Sequence, residues 1–271
     1  MANVLTEGQG MVRATDGAHI FYTSVGAGPT TLLFMHGWGG SGSGGLWTRV
    51  LSRLDVDRVR LVAVDLRGHG RSDHAADGFT TERFAEDMFD VADHLGARDL
   101  VLIAFSMSGR WAQWMSATRP DRVAGQILVA PAPAAALPLT EEILDEWLRV
   151  TRTRAGFDGF VRQFTRKELA PDILDDYFAA LAGTPERTLR ESFRMCSHRG
   201  FTEKLRDTRA PTLVLAGMHD GLLAPPYLRE QIVSQIPSAR IALLDCGHEI
   251  PLEMPVETAA IIESFVAALG R

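Results

Sequence analysis

The sequence predicts an α/β protein, a doubly wound and mostly parallel sheet with a block of helices inserted late in the chain. Three observations predict it. Short runs rich in β-branched and large apolar residues recur along the chain, and amphipathic stretches separate most of them. Several of these runs, such as Leu-Val-Leu-Ile-Ala at 100–104, are apolar at every position, as a strand covered by helices on both faces must be. One long interval carries helical patterns and no strand-like run.

In chain order the strand-like runs are 19–23, 31–35, 60–64, 100–105, 126–130, 212–216 and 240–244. Helical periodicity fills 46–54, 84–95 and 111–118 between them, so strand and helix alternate and a parallel sheet follows. From 131 to about 209 the alternation stops, while Ile143, Trp147 and Val150 fall at helical spacing. A single crossover helix uses far fewer residues. The interval therefore reads as a helical cap over 134–209, entered through the Ala/Pro-rich stretch 130–138 and left near 209–211. Residues 1–133 and 210–271 form the core. The chain closes with a strand, a helix around 226–236, another strand and a last helix over 256–269.

Bulk composition narrows the class of partner. With 271 residues, 46% hydrophobic and 23% charged, the chain suits one large globular core. Residues 1–10 lack a basic-then-apolar leader, and no apolar run reaches the roughly eighteen residues that span a bilayer. No export and no membrane insertion are expected. Cys196 and Cys246 are expected as reduced thiols, which fits a cytoplasmic protein. A net charge of -6 without a block of Lys or Arg argues against nucleic acid and for a small-molecule substrate.

The chemistry-bearing residues fall at strand ends. Ala104-Phe105-Ser106-Met107-Ser108-Gly109 sits where a buried strand meets a helix, a sharp turn that exposes a serine hydroxyl and requires small residues two positions to either side. Ala104 and Ser108 are small, though neither is the usual glycine. Asp220 follows the run ending at 216, and His248 follows the run ending at 244. Serine, acid and histidine thus appear in that order on three loops at one edge of a parallel sheet. Two other acids compete: Asp245 lies too near His248 in sequence to reach the far side of its ring, and Asp65 ends a different strand.

These residues resemble the α/β-hydrolase superfamily, particularly capped serine esterases, over nearly the whole chain. His36-Gly37-Trp38-Gly39 is similar to the family's oxyanion loop, 65–72 (Asp-Leu-Arg-Gly-His-Gly-Arg-Ser) to the loop after its next strand, and Gly247-His248 with Glu253 and Pro255 to its ending. The resemblance implies an eight-stranded sheet with the cap after strand 6. It implies catalysis by Ser106, His248 and Asp220, with the backbone N–H groups of Trp38 and Met107 as oxyanion donors, each worth about 3 to 4 kcal/mol. The expected reaction is hydrolysis of a carboxylic ester or lactone of a small, largely apolar substrate through an acyl-serine. C–C bond hydrolysis, perhydrolysis or a non-enzymatic ligand receptor are the alternatives on this fold.

Competing features are weaker. Gly40-Ser41-Gly42-Ser43-Gly44-Gly45 satisfies a dinucleotide fingerprint, with Asp65 as its acid, but His36 to Gly39 intervene where the turn should begin at once. That stretch is expected to be a flexible loop over the site. The remaining histidines show no ligand spacing, so no metal and no cofactor are expected. Trp38, Phe105, Met107, Trp111, Trp147, Phe160 and Leu222 are candidates to line a pocket, with Trp38 and Met107 placed there by the mechanism itself. Cys246 reads as a small buried hydrophobe.

Overall fold

Side chains alternate between two helical layers along every central strand, and both layers are apolar. Leu33, Met35, Leu102 and Ala104 face one cluster, and Leu32, Phe34, Val101 and Ile103 face the other. The computed structural model describes residues 8–39 and 45–270. Residues 40–44 of the glycine-rich stretch and residues 1–7 lie outside the described residues.

The chain begins with strands β1 (Gly8–Arg13), β2 (His19–Val25) and β3 (Thr30–Met35) and a one-turn helix α1 (Thr48–Leu51). Strand β4 (Val59–Val64), helix α2 (Thr81–His94), strand β5 (Leu100–Phe105), helix α3 (Gly109–Thr118) and strand β6 (Val123–Val129) follow. Next come helices α4 (Glu141–Val150), α5 (Arg154–Phe164), α6 (Pro171–Gly183) and α7 (Glu186–His198). The last segment holds β7 (Thr212–Gly217), α8 (Pro225–Leu228), β8 (Ala239–Leu244), α9 (Ile250–Glu253) and α10 (Pro255–Ala268).

Among the described residues the sheet has eight strands in the order β1-β2-β4-β3-β5-β6-β7-β8. β1 and β2, and β2 and β4, pair antiparallel, and the remaining pairs are parallel. The strand order reverses between β3 and β5, so their carboxyl ends open a crevice between them. The loops after β3, β5, β7 and β8 meet on that edge. Phe84, Met88, Trp111 and Met115 of α2 and α3 cover one face, while Trp47, Leu51, Ile262 and Val266 of the α1 and α10 region cover the other.

Three elements differ from expectation. β1 has the sequence Gly-Gln-Gly-Met-Val-Arg and lies at the sheet edge with most side chains in solvent, so it carries no apolar run to read. The predicted 46–54 helix contracts to α1 between turns, yet Leu46, Trp47, Val50, Leu51 and Leu54 are all buried; the periodicity reported burial rather than helix length. Around 226–236, α8 passes into a π-helical turn over Arg229–Val233, closed by Ser234 N–H donating to the Arg229 carbonyl at 2.9 Å. Leu228, Ile232 and Ile236 remain buried through the wider turn.

Helices α4 to α7 occupy the interval between β6 and β7. Thr140 and Thr153 cap α4 and α5 by accepting from the N–H groups of Ile143 and Gly156. Arg110 of α3 fixes the path out of β6. Its buried guanidinium donates to the carbonyls of Pro133 at 2.9 Å, Ala134 at 3.2 Å and Ala135 at 2.8 Å, and to Thr81 Oγ1 at 3.1 Å. The way in and the way out run side by side, with Leu137 N–H on the Cys196 carbonyl and Phe201 N–H on the Ala134 carbonyl. Cys196 and Cys246 are free and buried. Among the described residues no helix is long and apolar enough to cross a membrane.

Candidate active site

The turn after β5 forces Ser106 into the left-handed backbone region, with φ of 52°. A non-glycine residue there carries about 1–3 kcal/mol of strain, which the surrounding fold must hold in place. Ala132 N–H donates to the Ser106 carbonyl at 2.8 Å and ties the turn to the end of β6. The two positions that depart from glycine are accommodated differently. Ala104 is fully buried, and Ser108 uses its hydroxyl against the carbonyls of Met35 at 3.0 Å and Phe105 at 2.9 Å. The demand for glycine falls one residue later, because a Cβ at Gly109 would lie 2.4 Å from Pro131 Cβ.

Three loops then converge. His248 Nε2 lies 2.9 Å from Ser106 Oγ, and His248 Nδ1 lies 2.8 Å from Asp220 Oδ2. A carboxylate only accepts, so Nδ1 carries the proton and Nε2 is free to accept from the serine hydroxyl. The other oxygen of Asp220 accepts from the N–H groups of Leu222 at 2.8 Å and Leu223 at 2.9 Å, which fixes the carboxylate plane. Asp220 and His248 are both buried. The competing acids are occupied elsewhere: Asp245 Oδ1 pairs with the exposed His219 at 2.9 Å, and Asp65 Oδ2 accepts from Arg71 N–H at 2.8 Å within its own loop.

The loop after β3 lies against the same turn. A Cβ at Gly37 would sit 3.0 Å from the Phe105 ring and 3.1 Å from Ser106 Cβ, so the chain at Gly37-Trp38 passes directly beside the serine. His36 braces that loop, its Nε2 accepting from Leu66 N–H at 3.1 Å and its Nδ1 donating to the Gly37 carbonyl at 2.8 Å. The Trp38 indole N–H donates to the Leu189 carbonyl of α7 at 2.7 Å, and its ring lies 5.6 Å from that of Trp147 on α4. Met107 follows the serine in a short 3-10 turn. Of the pocket candidates, Trp111 stacks on Phe84 at 4.6 Å inside the core, away from this edge, whereas Phe105 lies 5.2 Å from the His248 ring.

The alpha/beta hydrolase family model matches residues 32–261. The chain belongs to the alpha/beta hydrolase family. It is 27% identical over 248 residues to a non-heme haloperoxidase of Rhodococcus erythropolis, covering 85% of this chain and 89% of that one. It is 29% identical over 230 residues to a bifunctional esterase/perhydrolase of Acinetobacter calcoaceticus, covering 78% and 82%. Among solved structures, an esterase from Exiguobacterium antarcticum superposes with a TM-score of 0.84 at 21% identity, covering 96% of this chain and 99% of that one. At that identity the superposition speaks for the fold alone.

Electrostatics in this α/β-hydrolase follow from the partners. Burial pushes the Asp220 carboxyl up, but His248 beside it and the two loop N–H groups outweigh burial and leave it below the ordinary carboxylate range. Burial pushes the His248 imidazole down, and Asp220, with Glu249 and Glu253 further off, outweighs it and raises the group above 6.5. Glu249 is a buried carboxyl that burial lifts to about 7, and Tyr177 of α6 donates to its Oε1 at 3.1 Å. Burial also pushes the Cys246 thiol to about 12, so it stays protonated and inert. Tyr177 and Phe164 left no local signal because each meets the histidine loop through a contact remote in sequence, and Glu249 showed only its place next to His248.

Proposed function

We propose that this hydrolase cleaves a carboxylic ester or lactone of a small, largely apolar substrate through an acyl intermediate on Ser106. The observation that carries the proposal is the unbroken relay from Ser106 Oγ through the His248 ring to Asp220. His248 takes the hydroxyl proton as Oγ attacks the carbonyl carbon, then returns it to the leaving alcohol. Asp220 holds the tautomer and stabilises the imidazolium. The backbone N–H groups of Met107 and Trp38 receive the developing oxyanion, as the closeness of the Gly37-Trp38 chain to Ser106 supports. Water then attacks the acyl-serine by the reverse sequence. Helices α4 to α7, within residues 134–209, act as a cap whose Trp147, Phe160 and Phe164 lay an apolar surface between Trp38 and His248.

The test is a panel of short and long acyl esters, aryl esters and lactones run with wild type and Ser106→Ala. Turnover of at least one class, abolished by the substitution, is expected; equal turnover by both proteins would remove Ser106 from the mechanism.

A second reading, perhydrolysis, rests on the haloperoxidase and esterase/perhydrolase relatives. Hydrogen peroxide would replace water at the acyl-serine, releasing a peracid as Oγ regains its proton from His248. Peracid formed in proportion to added peroxide, and absent in Ser106→Ala, is the expected sign.

A further inference from the structure

Glu253 is the buried polar side chain through which the histidine loop and the cap touch most closely. Its Oε2 accepts from the backbone N–H groups of Arg166 at 2.7 Å and Lys167 at 2.8 Å, both in the segment that leaves α5. The same carboxylate accepts from Gly247 N–H on the other side, at 3.0 Å to Oε1 and 3.1 Å to Oε2. One carboxylate thus joins two stretches of backbone that share no secondary structure. A further bond runs beside it, His248 N–H donating to the Phe164 carbonyl at 2.6 Å. The two chains are in close contact: a Cβ at Gly247 would lie 2.2 Å from the Phe164 carbonyl oxygen and 2.8 Å from Thr165 Cα.

A carboxylate that serves only its own helix end has no reason to reach a distant segment. Here the acceptor spans the gap, and the histidine's own amide completes the attachment. If residues 164–167 leave, His248 N–H loses the Phe164 carbonyl and the Glu253 carboxylate that holds Gly247 N–H loses its Arg166 and Lys167 donors, so both losses fall on the loop that must keep the imidazole within reach of Ser106. Phe164 travels with that segment, and its ring stands 6.5 Å from His248 and 5.9 Å from Trp147.

We propose that Glu253 is a positioning residue that makes docking of segment 164–167 and productive placement of His248 a single event. This rests on the serine-hydrolase reading above. The side chain touches no reacting atom; it acts through the backbone on both sides of the contact.

Arg166 and Lys167 give a readout independent of the reaction, because trypsin cuts after each once the segment is released. Glu253→Ala is expected to raise trypsin cleavage at these two sites at least tenfold in the folded protein, mapped by mass spectrometry, with cleavage at Arg152 and Arg162 little changed. In the same variant kcat on a p-nitrophenyl ester falls at least tenfold while KM changes less than threefold. Glu253→Gln retains an oxygen acceptor for Arg166 and Lys167 and restores both quantities most of the way. Where Glu253→Ala does not fold, Gly247→Ala tests the same contact by wedging the segment away, with the same two changes expected. An unchanged trypsin pattern, a rise in cleavage at all sites alike, or a glutamine variant as impaired as alanine would overturn the proposal. A wild type inactive on every ester would instead defeat the hydrolase reading, and the trypsin pattern would still report on the clamp.

Discussion

His248 on one side of the site and His36 with His69 on the other are equally withdrawn from solvent, at 5%, 1% and 0% exposure, yet they ionise in opposite directions. His36 and His69 meet backbone groups and each other, edge to face at 5.0 Å, and burial lowers them to about 4 and about 3. His248 meets the Asp220 carboxylate, which outweighs the same burial and raises it. The partner, more than the depth, decides whether a buried imidazole takes up a proton. The pair near β3 is a brace that stays neutral throughout the useful pH range. The histidine after β8 is held by its carboxylate partner toward the protonated form, and in the proposed mechanism it is the base.

Removing the base is the largest way to break this contrast: His248→Ala is expected to lower kcat by about a millionfold, the scale of losing a triad histidine in a serine hydrolase. Asp220→Asn keeps the shape but withdraws the charge and the tautomer control, and should lower kcat by about 10⁴-fold. Single-turnover acylation with a p-nitrophenyl ester measures both.

The pH profile sharpens the contrast further. His248 must be neutral to act, and its raised pKa puts the acid limb of kcat/KM above 6.5; substituting Asp220 moves that limb to lower pH, while His69→Phe leaves it in place. A limb unmoved in Asp220→Asn would break the account. Stability runs the other way at the two places. The folded state holds fewer protons on His36 and His69 than the unfolded chain does between pH 6.5 and their lowered values, so stability is lost as pH falls through that window. The His36 contribution is about 3 kcal/mol. His248, raised on folding, contributes stability that is present below pH 6.5 and lost as pH rises through its folded pKa. Urea unfolding at pH 7 and pH 5 reads the first effect, and His69→Phe should flatten the acid slope.

The smallest expected effect is at the serine turn. Ser108→Gly removes the hydroxyl's bonds to Met35 and Phe105 and should cost about 1 kcal/mol, read by thermal unfolding. Gly109→Ala should cost about 1–3 kcal/mol by collision with Pro131.

The central strands were legible because Leu100 to Phe105 and their neighbours are buried on both faces, which leaves short, fully apolar runs between amphipathic stretches. The strand-end residues were legible for a related reason: topology brings the ends of β5, β7 and β8 to one edge whatever the loops contain. β1 was not legible, since an edge strand that keeps its side chains in water leaves no apolar trace. The attachments made by Glu253 and Tyr177 were not legible either, because a carboxylate's reach to Arg166 or a phenol's to Glu249 depends on where helices α5 and α6 pack. Ser108 stood out as a departure from glycine, and only the structure shows that its hydroxyl is satisfied and that Gly109 carries the steric demand.

The most direct test of the catalytic account is covalent: incubation with a small alkyl phosphonate ester, followed by peptide mass mapping and residual activity on a p-nitrophenyl ester. The account predicts one adduct, on Ser106, formed in step with loss of activity and formed far more slowly in His248→Ala. An adduct elsewhere with activity intact, or labelling of Ser106 at the same rate without the histidine, would contradict it.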